Sequence, residues 1–251
     1  MNYPIDVSKP LRSVSQFAGE PDAPFHYMEN IRGPLHALQS ELYWHFQDLC
    51  YFHHITYADL KRRLDFLAEE HQRFTQYILE EEQKVDEGDR EAFRVYESRT
   101  RTNFMDRDIE LERAKSFADE YSIIGLWAMA ERFLGKCYAS IVAQRDSVPS
   151  DTVKRPYKWK NFKTAYKTFM IDLPTLHDYD NANECRTLNN AIKHFELVSD
   201  PLAGFTYWSA HRGMKISEVQ IEMQRYATGV YNFCGALIEA GNKHLDPTFA
   251  V

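Results

Sequence analysis

The residues best suited to chemistry stand together in Glu184-Cys185-Arg186-Thr187-Leu188-Asn189-Asn190-Ala191-Ile192-Lys193-His194. No Gly or Pro interrupts this run, which predicts a helix continuing to about Val198, where Ser199-Asp200-Pro201 stops it. Residues four apart share a side of a helix, so Arg186, Asn190 and His194 form one polar column with Lys193 beside it. Leu188, Ala191, Ile192 and Phe195 fall on the other side, where core packing would use them. Arg and Lys can neutralise a phosphate, Asn can orient a ribose, a phosphate or an imidazole, and His can move a proton near neutral pH. Those are the parts of metal-independent RNA cleavage, in which a 2′-hydroxyl attacks the adjacent phosphate. The same residues also suit a capped or salt-bridged structural helix, with His194 satisfied by a backbone carbonyl.

A second constellation precedes the first. From Val148 to Met170 there are six Lys/Arg (Lys154, Arg155, Lys158, Lys160, Lys163, Lys167) against one acid, Asp151. Aromatic residues interleave with these cations, the pairing that single-stranded nucleic acid asks for: charge for phosphates, rings for bases. Trp159, Phe162, Tyr166 and Phe169 also fit one apolar stripe at 3-4-3 spacing, which makes the rings core anchors and the lysines a solvated face. Glu131 is an acid on the most apolar stretch of the chain. A buried carboxylate needs a partner, and Arg186 is the expected one, either to aim the guanidinium or to hold two helices in register.

Two blocks carry a family likeness: Ser122-Ile-Ile-Gly-Leu-Trp-Ala-Met-Ala-Glu131-Arg-Phe-Leu and Arg186-Thr-Leu-Asn-Asn190-Ala-Ile-Lys-His194. Together they resemble HEPN-type domains (higher eukaryotes and prokaryotes nucleotide-binding), in which a helix bearing an acid precedes a helix with an Arg, Asn and His signature. The resemblance spans about residues 121–198. It implies a helical bundle, often a homodimer. Its active members are metal-independent endoribonucleases of toxin–antitoxin, defence or RNA-processing systems, cutting in a cleft built from the Arg/His motifs of two protomers. It would make His194 the general acid/base, Arg186 and Lys193 the phosphate ligands and Asn190 the orienting group. The family signature sets Arg closer to His than the eight positions separating Arg186 from His194, and Asn189 stands where the nearer Arg would be. Other members are non-catalytic binding or dimerisation modules, the alternative reading for this chain.

The elements that must position these groups read as helices throughout. Leu35, Leu38, Leu42, Phe46 and Leu49 at 3-4-4-3 spacing predict a helix over about residues 34–52, ending before His53-His54. Leu60, Leu64, Leu67, His71, Phe74, Ile78 and Val85 form a heptad-like seam on a charged helix over about 57–87. Gly88-Asp89 turns the chain into a second charged helix to about residue 118, giving a projecting antiparallel hairpin over 57–118 that could meet a protein partner. A buried helix over about 122–143, a short one over 157–171, and a last one over 217–241 with Ser217 as N-cap complete the expected set. The fold expected is therefore all-α: a HEPN-like bundle over residues 34–251 behind a Pro-punctuated arm over 1–33.

Composition bounds the rest. The 251 residues are 44% hydrophobic and 14% aromatic, enough for a sizeable core, and the formal charge of −7 excludes a uniformly basic nucleic-acid binder while allowing a local patch. The four cysteines (Cys50, Cys137, Cys185, Cys234) are scattered without a CxxC pair, which favours buried free thiols in a reducing compartment. The N-terminus shows no signal-peptide pattern, and the most apolar run, Ile123 to Val142, contains Glu131, Arg132 and Lys136, so a cytoplasmic protein without a membrane span is expected. Glu-x-x-His pairs, Gly-rich phosphate loops and a GxSxG elbow are absent, and no metal or cofactor is expected.

Overall fold

The computed structural model describes residues 33–249, and they are all-α. Six helices follow one another: α1 His36–Glu82, α2 Arg90–Asp146, α3 Trp159–Lys167, α4 Tyr179–His194, the single turn α5 Asp200–Ala203, and α6 Met223–Leu245. Short 3-10 turns lie between them, and the one β-bridge among the described residues joins Leu197 to Lys215. The arm expected over residues 1–33 lies, except for Gly33, outside the described residues.

Two helices are far longer than their apolar patterns predict. α1 has 47 residues and α2 has 57, which at 1.5 Å per residue makes them about 70 and 85 Å long. The break expected at His53-His54 does not occur. No Gly or Pro is present from His36 to Glu82, and His53 is drawn inward instead of turning the chain. Its Nε2 lies 3.0 Å from Asp119 Oδ1, and the Tyr57 hydroxyl donates to the other oxygen of the same carboxylate. All three side chains are buried, so the link stitches α1 to α2 where a loop was expected. For the same reason residues 90–118 and 122–143 are one helix rather than two.

The α1/α2 pair thickens toward its open end. Beyond Tyr57 only Leu67, Phe74 and Ile78 of α1 are buried, and on α2 burial begins at Asp119. The thin part is a two-helix seam with charged outer faces, where ion pairs such as Lys61–Asp65 and Arg101–Glu97 contribute only a few tenths of a kcal/mol each. The thick part is the core. Leu42, Phe46 and Cys50 of α1 meet Leu126, Trp127 and Phe133 of α2, and Tyr226, Val230 and Phe233 of α6 close over them. α3 is pinned from below, since Tyr166 is fully buried and its hydroxyl donates to the Leu134 carbonyl at 2.6 Å. All four cysteines are buried and free, and burial pushes the Cys50 and Cys137 thiols up to about 12. No helix among the described residues is long and apolar enough to cross a membrane.

Three helix ends differ from the sequence expectation for local reasons. α3 stops at Lys167 because Met170 takes a left-handed conformation (φ 59°) and Ile171 N–H reaches back to the Tyr166 carbonyl. α4 stops at His194 rather than Val198. Both Phe195 and Glu196 donate to the Ala191 carbonyl, Glu196 turns left-handed (φ 55°), and Val198 pairs with Met214 instead of extending the helix. α6 starts at Met223, not at Ser217. Val219 and Ile221 are buried in a non-helical run, and Gln220 between them offers its carbonyl to the Tyr207 hydroxyl. Ser217 therefore caps nothing.

Candidate functional site

α4 carries the polar column, and its position is set from both sides. Ala182, Cys185, Leu188 and Ala191 are buried against α2 and α6, as their spacing requires. Asp178, left-handed at φ 58°, precedes the helix and accepts from Asn181 at 3.2 Å and from Asn232 of α6 at 2.7 Å. Phe195, expected in the core, is instead 60% exposed, because the chain leaves the helix at that residue.

Arg186 is half-buried and held in place. Its Nε and one terminal nitrogen donate to Asn183 Oδ1 at 3.1 and 3.0 Å, that same nitrogen lies 3.3 Å from Thr187 Oγ1, and the guanidinium stands 5.4 Å from the centre of the Trp159 ring. The remaining nitrogen, Nη1, has no hydrogen-bond partner, and no carboxylate forms an ion pair with Arg186 among the described residues. Burial lowers its pKa from the ordinary arginine value, and the nearby Tyr179 hydroxyl and Glu131 charge oppose that shift. Asn190 and Lys193 are exposed; the Asn190 amide oxygen accepts from buried Asn189 at 3.3 Å. His194 is exposed, with Phe195 as its ring neighbour at 6.2 Å. The column thus exists as a surface stripe, with a guanidinium fixed at one end and an imidazole about 12 Å away at the other.

The expected burial of Glu131 and its pairing with Arg186 are not found. Glu131 is exposed on α2 and makes no ion pair with Arg186. The buried acid of α4 is Glu184, one turn before Leu188. Its carboxylate takes a bidentate pair from Arg225 of α6 at 2.6 and 3.0 Å and a third bond from the Tyr226 hydroxyl at 2.7 Å. Arg225 also bonds Glu222 and Asn181, and the Trp208 indole donates to the Tyr226 oxygen at 2.8 Å. Burial works against the charge on Arg225, but the hydrogen bond and charge of Glu184, with Glu222, raise its pKa above the ordinary value. Every member is partnered, so this network is a cross-link between α4 and α6 rather than an open reactive site.

The approach of those helices depends on one glycine. A Cβ built on Gly229 would stand 2.3 Å from Asn181 Cβ, next to the α4 backbone. Gly229→Ala is therefore expected to destabilise the protein by about 2 kcal/mol, through displacement of α4. Urea denaturation measures it, and an unchanged midpoint would contradict this packing.

The basic segment splits as its two readings did. Phe162, Tyr166 and Phe169 are buried and Trp159 is largely so, which makes these rings anchors. Trp159 stacks over Tyr179 at 6.2 Å and meets Trp127 edge-on at 5.6 Å. The cations Lys154, Arg155, Lys158, Lys160 and Lys167 are exposed and Lys163 is partly so. Lys167 lies 3.7 Å from Asp172, the Arg155 stem packs over Gly135, and Lys158 sits over the exposed Tyr157 ring. Trp159 joins the two constellations: it carries Arg186 on its face while Lys158 and Lys160 flank it in the chain.

Two cavities among the described residues lie away from this stripe. One of about 530 Å³ separates α2, from Asp108 to Glu120, from residues 217–221; another of about 470 Å³ runs along the hairpin between Leu67 and Phe104. No group of three or more His, Cys, Asp or Glu side chains suited to a metal ion occurs among the described residues. The chain matches no known family model, no curated protein and no solved structure, so the reading of the site rests on its own geometry.

Proposed function

We propose that this is an RNA-binding protein with a HEPN-like helical fold, and that it holds the phosphate backbone of single-stranded RNA across Arg186 and the basic edge of α3. One observation carries the reading. Among the described residues Arg186 is a half-buried guanidinium with no carboxylate in an ion pair with it and no hydrogen bond at Nη1, fixed against Trp159, and exposed Lys158 and Lys160 are the chain neighbours of that ring. A positioned guanidinium that is not tied up in an ion pair is a ready anion ligand, and arginine suits phosphate because its planar fork offers two donors at once. Because most aromatic rings of α3 are buried, contacts to phosphates outweigh base stacking, so affinity depends steeply on salt and weakly on sequence.

Binding is favoured over cleavage. General acid–base chemistry needs an imidazole held at the scissile phosphate, and His194 lies exposed with no hydrogen-bond partner among the described residues. The experiment is fluorescence anisotropy with a short single-stranded RNA at about 50 mM salt in EDTA, followed by a gel of the same RNA. Binding that weakens as salt rises, with the RNA left intact, is the expected result. An absence of binding at low salt removes the proposal. Cutting by wild type that is lost in His194→Ala would make the same stripe a nuclease site, as the family resemblance implies.

A further inference from the structure

We infer that Asn183 is a positioning residue of the phosphate site: its neutral side-chain oxygen holds the Arg186 guanidinium in place while leaving the positive charge free for an RNA phosphate. The inference rests on the RNA-binding reading above and deepens it. Asn183 lies three residues before Arg186 on α4, so the two share a side of the helix. Its Oδ1 accepts from Nε at 3.1 Å and from one terminal nitrogen at 3.0 Å, closing a fork on that edge of the guanidinium. Thr187 Oγ1, 3.3 Å from the same nitrogen, is itself fixed by donating to the Asn183 carbonyl at 2.8 Å. The Trp159 ring, 5.4 Å from the guanidinium, is set in turn by Tyr179 stacked at 6.2 Å and Trp127 edge-on at 5.6 Å. Every one of these contacts is made by an uncharged group, and Nη1 is left without a hydrogen bond among the described residues.

A second arginine shows what a charged anchor does. Arg225 is held by Glu184 at 2.6 and 3.0 Å and by Glu222; burial opposes its charge, yet those carboxylates raise its pKa above the ordinary value. Its charge is neutralised inside the protein, and none is left for a ligand. Burial instead lowers the pKa of Arg186, with Tyr179 and the Glu131 charge opposing the shift and no carboxylate bonded to the guanidinium among the described residues. An aspartate at position 183 would present the same fork with a negative charge, and partial burial would strengthen the resulting ion pair because water screens it less. The amide, of the same size and shape, orders the guanidinium without cancelling it. An ordered side chain loses less freedom when the phosphate arrives, so the anchor raises affinity although it does not touch the RNA.

The test measures the affinity of the full chain for a short labelled single-stranded RNA by fluorescence anisotropy over a range of salt. Asn183→Asp should bind about tenfold more weakly at about 0.1 M salt, and its slope of log affinity against log salt should fall by about 0.7, one phosphate contact fewer. Its urea midpoint should equal or exceed that of wild type, because the new ion pair holds Arg186 more firmly. A merely structural role would instead move stability and affinity together and leave the slope alone. Asn183→Ala should bind about threefold more weakly with the slope unchanged, since the charge remains and only its ordering is lost. In an Arg186→Gln background both losses should shrink to about twofold or less, because Asn183 acts through the guanidinium.

Wild type that does not bind RNA removes the phosphate site, and this inference with it. Wild type that binds, with Asn183→Asp equal to it in affinity and slope, overturns the role of Asn183 alone and leaves the phosphate site standing. A loss of the same size with and without Arg186 also overturns that role, because Asn183 would then act on the RNA directly or the aspartate by plain repulsion. If Asn183→Asp fails to fold, Asn183→Ala and its combination with Arg186→Gln decide by the same cycle: no loss, or a loss that persists without Arg186, overturns the inference.

Discussion

Replacing Arg225 by leucine is expected to cost the protein about 3–5 kcal/mol, lowering its melting temperature by roughly 10 °C. The guanidinium is nearly sealed from solvent and serves four partners: Glu184 twice, at 2.6 and 3.0 Å, with Glu222, Asn181 and the Tyr226 hydroxyl beside it. Without it, Glu184 keeps only the Tyr226 hydroxyl while remaining buried as a carboxylate, and that uncompensated charge dominates the loss. Removing the charge as well should recover about half of it, because a buried ion pair is often replaceable by uncharged groups of similar volume. Glu184→Gln with Arg225→Met is therefore expected to be more stable than Arg225→Leu alone. Urea unfolding of the three proteins decides it, and a single variant within about 1 kcal/mol of wild type would show that the network contributes little.

The second large effect is on RNA. Changing Lys158 and Lys160 to serine and Arg186 to glutamine together is expected to weaken single-stranded RNA binding roughly 100-fold at about 0.1 M salt, and to lower the slope of log affinity against log salt by about 2. The slope is the sharper readout. It counts the phosphates neutralised, so a triple variant that lost affinity by unfolding would not shift it by that amount. Arg186→Lys should also weaken binding, because the ammonium keeps the charge but neither stacks flat on Trp159 nor offers a planar fork. Arg94→Ser, an exposed cation on the hairpin, should change nothing. An unaltered slope in the triple variant would place the RNA elsewhere.

Much of the fold was legible because helices repeat every 3.6 residues and this chain keeps that period. The all-α class, the turn at Gly88, the burial of the 123–141 stretch and the apolar stripe of α3 can all be read from spacing. Four boundaries differ from the spacing, for two reasons. Nothing in residues 53–56 or 118–122 breaks a helix, and the polarity there, which reads as a turn, marks the buried pair of His53 and Asp119, with Tyr57. α4 and α6 end and begin where tertiary partners claim the backbone: Met214 takes Val198, and Tyr207 takes Gln220.

The candidate site divides in the same way. Glu184 could have been singled out, since it stands one turn before Leu188 and two before Ala191, an acid on the core side of its helix. Its partner could not, because Arg225 is 41 positions away and several cations were available to it. Glu131 sits on an apolar stretch, yet on a 57-residue helix even the most buried turn has one side to solvent, and Glu131 occupies it.

By itself, then, the sequence determined the helices, the apolar stripes that bury them, the buried thiols and the order of Arg186, Asn190 and His194 along one face. Those are matters of local periodicity and of which side chains water expels. The tertiary structure alone decided which charges meet between helices. It sent Glu184 to Arg225, left Arg186 on Trp159 with no ion-paired carboxylate among the described residues, and turned Trp44, Tyr51 and Ile55 outward. Charge pairing depends on distances between helices far apart in the chain, and spacing along one helix carries no information about those.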